Sequence, residues 1–326
     1  MSRILVTGGS GFIGSNLCRY ILNNTEDEVV NLSKHTYSSH PLTTKDLEKN
    51  PRYKFIAVDI TDSVALYEIL LKNDIDSIFH LAAETMVTRS FIYPRDFLQA
   101  NTVGTFNMLE ILRRLEKQIP IVLVSTDEVL GSVPEGKSKE DAPLNPQNPY
   151  ACGKAGGELW ARTYHKCYKL PIKILRIMNV YGPFQHPEKL IPRIITSCLR
   201  DEGFELYPGS SGNRRYWVYV EDAVSAIHTV LTKGKIGETY HIGSFEERSV
   251  AEVAMSIMGQ MNKMNLFQGF KRETARLQDD ERYCLDFSKI QNELGWKPRY
   301  KFEEGIEKTI AWFRDNPEWW QGIRTG

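Results

Sequence analysis

The sequence carries no surplus of charge: 41 lysines and arginines face 41 aspartates and glutamates. A neutral chain has no global field to hold nucleic acid or an anionic bilayer. No run approaches the ~18 apolar residues of a membrane span. The opening MSRILVTGG enters a strand-like segment at once and leaves no room for a signal peptide. Cysteine is scarce: Cys18, Cys152, Cys167, Cys198 and Cys284 are odd in number, with no CxxC and no metal-ligand spacing. Disulfide-stapled and zinc-ribbon scaffolds are therefore excluded, and reduced thiols in a cytoplasmic protein are expected. The histidines show no ligand spacing either, and there is no internal repeat or low-complexity tract. What remains is a 326-residue chain, 41% hydrophobic and 25% charged. That suits one large α/β domain, or a large domain with a smaller partner.

The first half alternates short β-branched runs with amphipathic stretches. Residues 3–7, 28–32, 53–58, 77–81 and 121–125 read as strands, apolar on both faces and bounded by Gly, Asp, Asn or Pro. Between them, 12–22, 63–72 and 102–117 carry helical periodicity, with Ile13, Leu17 and Ile21 on one face. A long helix should start at Pro149–Tyr150 and run toward Lys169, followed by a strand at 172–178. This alternation predicts a Rossmann-like, doubly wound parallel sheet. From Tyr181 onward Pro and Gly become frequent. Shorter elements follow: a helix near 191–200, a strand at 217–220, and a helix opening at Glu221–Asp222, whose acids suit the positive end of its dipole. Another helix follows residues 241–243, and a last one lies near 302–316. The expected division is a dinucleotide-binding domain over 1–180 and a smaller C-terminal α/β substrate-binding lobe over 181–326, with some chain crossing between them.

Gly8, Gly11 and Gly14 follow the first strand and open the first helix. Such a turn lets backbone N–H groups approach a pyrophosphate and lets helix pack closely on strand. The acid that usually grips the adenosine ribose belongs at the end of the second strand. Ser33 stands there, followed by Lys34. A carboxylate at that point favours NAD, whereas a hydroxyl beside a lysine admits the 2′-phosphate of NADP. NAD is the expected cofactor, and NADP stays open. Asp59 either accepts from an adenine amino group or caps the helix beginning near Thr61.

The strand at 121–125 runs into Thr126, Asp127 and Glu128, which places them at the carboxyl edge where such sheets bind ligands. Tyr150 and Lys154 lie at i and i+4 on one helix face. A neighbouring ammonium is expected to lower the tyrosine's pKa and favour phenolate.

This combination resembles the extended short-chain dehydrogenase/reductase family across essentially the whole chain. Within it, the chain is similar to nucleotide-sugar dehydratases of the dTDP-glucose 4,6-dehydratase type. The matching stretches are VTGGSGFIGS, HLAAET, STDEV, NPYACGKA, NVYGPFQHPEKLIPR, RRYWVYVEDA, GETYHIG and ELGWKP. The Asp127–Glu128 pair separates this group from epimerases and decarboxylases. The chain departs from the pattern at Ser33, Met86, Thr88, Leu130 and Cys152–Gly153.

The resemblance implies a tightly bound NAD held additionally by Phe12, Ile13, Ile60, Leu81, Ala82 and Ala83, with Asn101 organising the site unless it is a plain helix N-cap. Tyr150, aided by Lys154 and Thr126, would take the proton of the sugar 4-hydroxyl as hydride leaves carbon 4. Glu128 would then remove the acidified carbon-5 proton, and Asp127 would protonate the departing 6-hydroxyl. Thr85 and Asn179 would contact the sugar or its phosphates. Glu188, Lys189, Leu190, Arg215 and Arg276 would line the diphosphate side, and Tyr207 would stack on a base. The implied substrate is a nucleoside-diphosphate hexose, with no nucleic acid or membrane partner and no metal. The helices at 102–117 and 150–169 would pair with a second copy in a homodimer. A 5,6-dehydratase, a 4-epimerase and a silent cofactor-binding scaffold remain as alternatives. His80, and the aromatic run from Trp312 to Trp320, read as core packing.

Overall fold

The computed structural model describes residues 1–34, 36, 39–206, 212–270 and 281–323. Its main layer is a seven-stranded sheet. In chain order the first six strands are β1 (Arg3–Thr7), β2 (Glu28–Ser33), β3 (Tyr53–Ala57), β4 (Ser77–His80), β5 (Ile121–Thr126) and β6 (Ile172–Ile177). The seventh strand is Thr239–Ile242, and the spatial order from that edge is Thr239–Ile242, β6, β5, β4, β1, β2, β3. Every pairing is parallel.

Side-chain alternation along these strands feeds two cores. Ile4, Val6, Phe79, Val122, Val124 and Leu175 face helix α1 (Phe12–Asn24) and helix Val220–Lys233. Leu5, Ile78, Ile121, Leu123 and Ile172 face helix α2 (Ser63–Lys72), helix Gly104–Arg114 and helix Pro149–Tyr168. Strands buried on both faces favour apolar residues on each face, which is why β1 and β5 read as nearly unbroken hydrophobic runs, whereas edge strand β3 leaves Lys54 exposed. Leu66 and Leu70 of α2 are fully buried, and each such leucine contributes roughly 1.5–3 kcal/mol.

Helix starts follow local chemistry. Asp62 caps α2, accepting from the N–H groups of Val64 and Ala65 at 3.2 and 3.0 Å. The helix from Pro149 has proline in its first turn, where no hydrogen bond is lost, and Asn148 as its cap.

The second layer is built on a three-stranded sheet in the order Glu247–Ser249, Arg214–Tyr219, Asn179–Tyr181. Helices Leu190–Leu199, Val250–Gln260 and Phe302–Asp315 pack with it. Trp319 and Trp320 are buried, and Trp319 donates to the hydroxyl of Thr43 at 3.1 Å. The aromatic run is core, as expected.

Two local departures from the sequence reading stand out. The helix expected over 102–117 begins instead with a wide π turn at Leu98–Val103 before continuing as Gly104–Arg114. Asn101 lies inside that turn, so the N-cap alternative for it does not hold. The strand Thr239–Ile242 was not expected at all, and through it and helix Val220–Lys233 the C-terminal half of the chain enters the main layer.

Candidate active site

Sheet order reverses between β1 and β4, since the chain builds outward through β2 and β3 and then returns to the other side of β1. A cleft of about 1090 Å³ runs along the carboxyl ends of the strands at this point. That is the upper end of the roughly 300–1,000 Å³ of a single small-molecule pocket. Its walls include Gly8, Gly11, Phe12, Ile13, Gly14, Ser33, Lys34, Asp59, Ile60, Leu81, Ala82 and Ala83 at one end. Thr85, Thr126, Asp127, Glu128, Tyr150, Lys154, Asn179, Glu188, Lys189, Leu190 and Arg215 line the remainder. One fold feature thus gathers residues spread from position 8 to position 215. Tyr207 and Arg276 fall outside the described residues.

The glycine turn is tight for a stated reason. Gly8 has φ +74°, and a Cβ there would sit 2.7 Å from the backbone nitrogen of Ala82. A Cβ on Gly14 would lie 2.2 Å from the Gly8 carbonyl oxygen. These two positions accept no side chain, so the backbone stays bare beside the first turn of α1. Gly11 is the N-cap of α1 and no side chain among the described residues caps it. A cradle that a Cβ would fill, at an uncapped helix N-terminus, fits the pyrophosphate of a dinucleotide.

Ser33 is buried and turned inward. Its hydroxyl accepts from the Ser10 N–H at 3.1 Å and donates to Asn31 Oδ1 at 2.8 Å. Beside it Lys34 Nζ is ion-paired with Asp59 Oδ2 at 2.7 Å. Asp59 Oδ1 accepts from the Thr61 N–H at 2.9 Å. This fixes the turn before α2, whose own cap is Asp62 rather than Asp59.

Asn101 lies just behind the wall. Its amide donates to the Glu84 carbonyl at 3.0 Å and accepts from the Glu84 N–H at 2.9 Å. The wide turn swings this side chain toward the loop after β4, a recurrent use of π geometry near functional sites. His80 is a satisfied core residue, bridging the hydroxyls of Thr7 and Thr105 at 2.9 and 3.1 Å. Burial holds its pKa down at about 3, with the Lys154 charge adding to the effect.

At the other end, Thr126 closes β5 and caps the short turn Asp127–Leu130. Its hydroxyl donates to Asp127 Oδ1 at 3.0 Å and accepts from the Glu128 N–H at 3.3 Å. Asp127 Oδ2 is buried without a hydrogen-bond partner. Burial first, and the Glu128 charge second, push the Asp127 pKa up to about 7. Glu128 Oε2 accepts from Asn148 Nδ2 at 2.9 Å. The two acids therefore sit in different settings, one stripped of water and the other held by an amide donor.

Tyr150 is buried, hydrogen-bonded to Thr126, and its pKa is raised by burial and by the charges of Glu128 and Asp127. Lys154 donates to the Val124 carbonyl at 2.7 Å, and burial lowers its pKa to about 8. This corrects the expectation drawn from the i, i+4 spacing. Burial first, then the charges of Glu128 and Asp127, hold the phenol's proton on, while the Lys154 ammonium is spent on the Val124 carbonyl.

Lys189 reaches across the cleft to the Thr85 carbonyl at 3.2 Å. Arg215 donates to the carbonyls of Arg214 and Glu281, both at 2.9 Å, and its charge reaches Asp127. Sequence reasoning passed over Asn148, Glu84 and Arg193, which also line the cleft. Asn148 and Arg193 stand inside the motifs NPYACGKA and PEKLIPR, so the signal was present and unused.

The family model described as GDP-mannose 4,6 dehydratase matches residues 5–309. An Escherichia coli protein named dTDP-glucose 4,6-dehydratase is 39% identical over 351 aligned residues, covering 99% of this chain and 97% of that protein. The solved dTDP-glucose 4,6-dehydratase of Streptomyces venezuelae, with NAD and TYD bound, superposes with a TM-score of 0.93 at 38% identity, covering 99% of this chain and all of that one. A UDP-glucose 4-epimerase from Thermotoga maritima, solved with UDP-glucose, reaches a TM-score of 0.86 at 25% identity, over 97% of this chain and 99% of its own.

Proposed function

The chain belongs to the GDP-mannose 4,6 dehydratase family, and from that premise we propose how its residues divide the work of a nucleotide-sugar 4,6-dehydratase. The enzyme is an NAD-dependent hydro-lyase acting on a nucleoside-diphosphate hexose. The hexose we assign is dTDP-glucose, because whole-length relatives at 36–39% identity carry that name. The product is the 4-keto-6-deoxy sugar.

Bound NAD supplies reversible two-electron chemistry, taking up a hydride at the start and returning it at the end. The protein does the rest with protons. Tyr150, paired with Thr126, accepts the proton of the 4-hydroxyl once ionised to the phenolate, and the Lys154 ammonium lies one turn along the same helix. A phenol with a raised pKa is a poor base in isolation. Its ionisation is favoured only when added positive charge offsets the carboxylates beside it. The new 4-ketone acidifies the carbon-5 proton, which Glu128 removes. Asp127 gives its proton to the departing 6-hydroxyl, so one water leaves. As hydride returns to carbon 6, Glu128 gives its proton back to carbon 5, and the proton taken from the 4-hydroxyl replaces the one Asp127 spent, so atoms balance. Asn148 aims Glu128 by donating to Oε2. Thr85, Asn179, Glu188, Lys189, Leu190 and Arg215 face the sugar and its diphosphate, with the planar guanidinium suited to two phosphate oxygens.

One observation carries this reading: Asp127 presents a buried, unpartnered Oδ2 with a pKa near 7, next to a Glu that is hydrogen-bonded differently. An acid whose pKa is raised so that it can keep its proton, beside a base, is what elimination of water needs and what epimerisation does not. The test is incubation of the purified protein with dTDP-, UDP-, GDP- and CDP-hexoses. The expected product from dTDP-glucose is lighter by one water and carries a ketone. Products of unchanged mass would favour an epimerase, and loss of water without a ketone a 5,6-dehydratase.

We assign a homodimer through the face shared by helices Gly104–Arg114 and Pro149–Tyr168. Leu159, Trp160 and Tyr168 are exposed there, with Trp160 edge-on to Phe106 at 4.9 Å between ring centres. No helix among the described residues is long and apolar enough to cross a membrane. The five free thiols suit the reducing cytoplasm, where we place the protein.

A further inference from the structure

The ribose end of the cleft lacks the strand-end acid that ordinarily selects NAD, yet it carries a lysine. Ser33 cannot replace the missing carboxylate. Its hydroxyl is already committed to Ser10 and Asn31, and Asn31 in turn donates to the Ser10 hydroxyl at 3.0 Å and to the Tyr53 hydroxyl at 2.8 Å. This network ties the end of β2 to the glycine turn. Among the described residues, the charged groups in the cleft wall around this end include Lys34, Asp59, Glu84 and Arg89. Lys34 and Asp59 are joined at 2.7 Å, and Glu84 feels the charge of both.

We propose that Asp59 is the cofactor-specificity residue of this chain. By holding Lys34 Nζ it engages the lysine that directly follows β2, and it turns the ribose end against NADP without a carboxylate at the end of β2. A dianionic 2′-phosphate entering here meets a neutralised lysine and two carboxylates, an arrangement that rejects by like-charge repulsion. A neutral 2′-hydroxyl meets no such barrier. Selection has moved from one strand end to the next, from position 33 to position 59. The adjacent parallel strands β2 and β3, paired Ser33 to Ala57, bring both to the same lip. The inference rests on reading this end of the cleft as the adenosine-ribose site.

The experiment compares the wild type with Asp59→Asn, Asp59→Ser and the double change Asp59→Asn/Lys34→Met. Asn and Ser keep an oxygen acceptor for the Thr61 N–H and lose only the charge. Each protein is stripped of resident dinucleotide, exposed to an equimolar excess of NAD and NADP, freed of unbound dinucleotide and denatured, and the released cofactors are weighed by mass spectrometry. The wild type should release NAD almost alone. Both single changes should raise the NADP-to-NAD ratio by about tenfold or more, as expected for freeing one cation and removing one anion. The double change should return the ratio toward that of the wild type. An unchanged ratio in both single variants overturns the proposal, and so does a raised ratio that survives removal of Lys34. Using two single variants keeps the test open if one fails to fold. A wild-type protein that released no dinucleotide at all would instead overturn the cofactor-site reading beneath it.

Discussion

Replacing Asp127 by Asn should stabilise the protein at and above neutral pH while destroying turnover. The Asn side chain is nearly the same shape. Its Oδ1 still accepts from the Thr126 hydroxyl, now 3.0 Å from the carboxylate, and its amide falls where Oδ2 is buried without a partner. Folding moves the Asp127 pKa from 3.8 to about 7, chiefly through burial. A raised carboxyl pKa means that the native state holds its proton after the unfolded chain has lost it. Its contribution is complete below pH 4 and is lost as pH climbs through 7. Each pH unit in that window costs the wild type about 1.4 kcal/mol, so the full loss approaches about 4 kcal/mol. The Asn variant loses nothing over the same range. For 326 residues unfolding with about 2.1 cal/mol/K each, 4 kcal/mol corresponds to roughly 6 °C. Calorimetry of both proteins at matched cofactor content, from pH 4 to 8.5, should show Tm curves that coincide at the acid end. They should then diverge and run parallel above pH 7, with the variant higher. Turnover should fall by roughly 10²–10⁴-fold, the usual worth of a general acid. A difference in Tm independent of pH, or a variant less stable at pH 8, would refute the account of this carboxyl.

Asn148→Ser keeps a good helix cap but removes the donor to Glu128, so kcat should fall with Tm nearly unchanged, and uptake of solvent deuterium at carbon 5 should slow in step. Asn148→Ala should add a stability loss of about 1 kcal/mol, visible as a lower denaturant midpoint. Gly8→Ala forces a Cβ to within 2.7 Å of the Ala82 backbone at φ +74°, and purified protein should release far less dinucleotide on denaturation. Trp160→Glu should shift the sedimentation coefficient to that of a single chain, and an unshifted dimer would discard that interface.

The main layer was legible because both-face burial leaves a direct trace: runs such as ILVT and IVLVS have no polar interruption that a solvent-facing strand would show. The bounds of α2 follow from its periodicity and its Asp62 cap. Thr239–Ile242 left no comparable trace. It has four residues, includes a threonine and a histidine, and owes its place to pairing with β6 some sixty positions earlier. The π turn left no trace either, and the Asn101–Glu84 contact that accompanies it joins positions seventeen residues apart. At the site, residue types with fixed spacing were readable, Gly8 to Gly14 and Tyr150 to Lys154 among them. Contacts between distant positions were not. The bond from Asn148 to Glu128, the pairing of Lys34 with Asp59 and the raised phenol pKa of Tyr150 all depend on burial and neighbours that appear only on folding.

The fork by which Asn101 grips both backbone groups of Glu84 has a consequence for traffic through the enzyme. It gives an irregular loop the bonding of a sheet edge, so the nucleotide wall stands fixed to the central layer. The opposite wall hangs from the smaller layer and is tied across the gap by the long, half-exposed Lys189. The nucleotide end is thus braced by paired backbone bonds and the far wall by a single side chain, as suits a catalyst whose redox partner ends each round in the state in which it began.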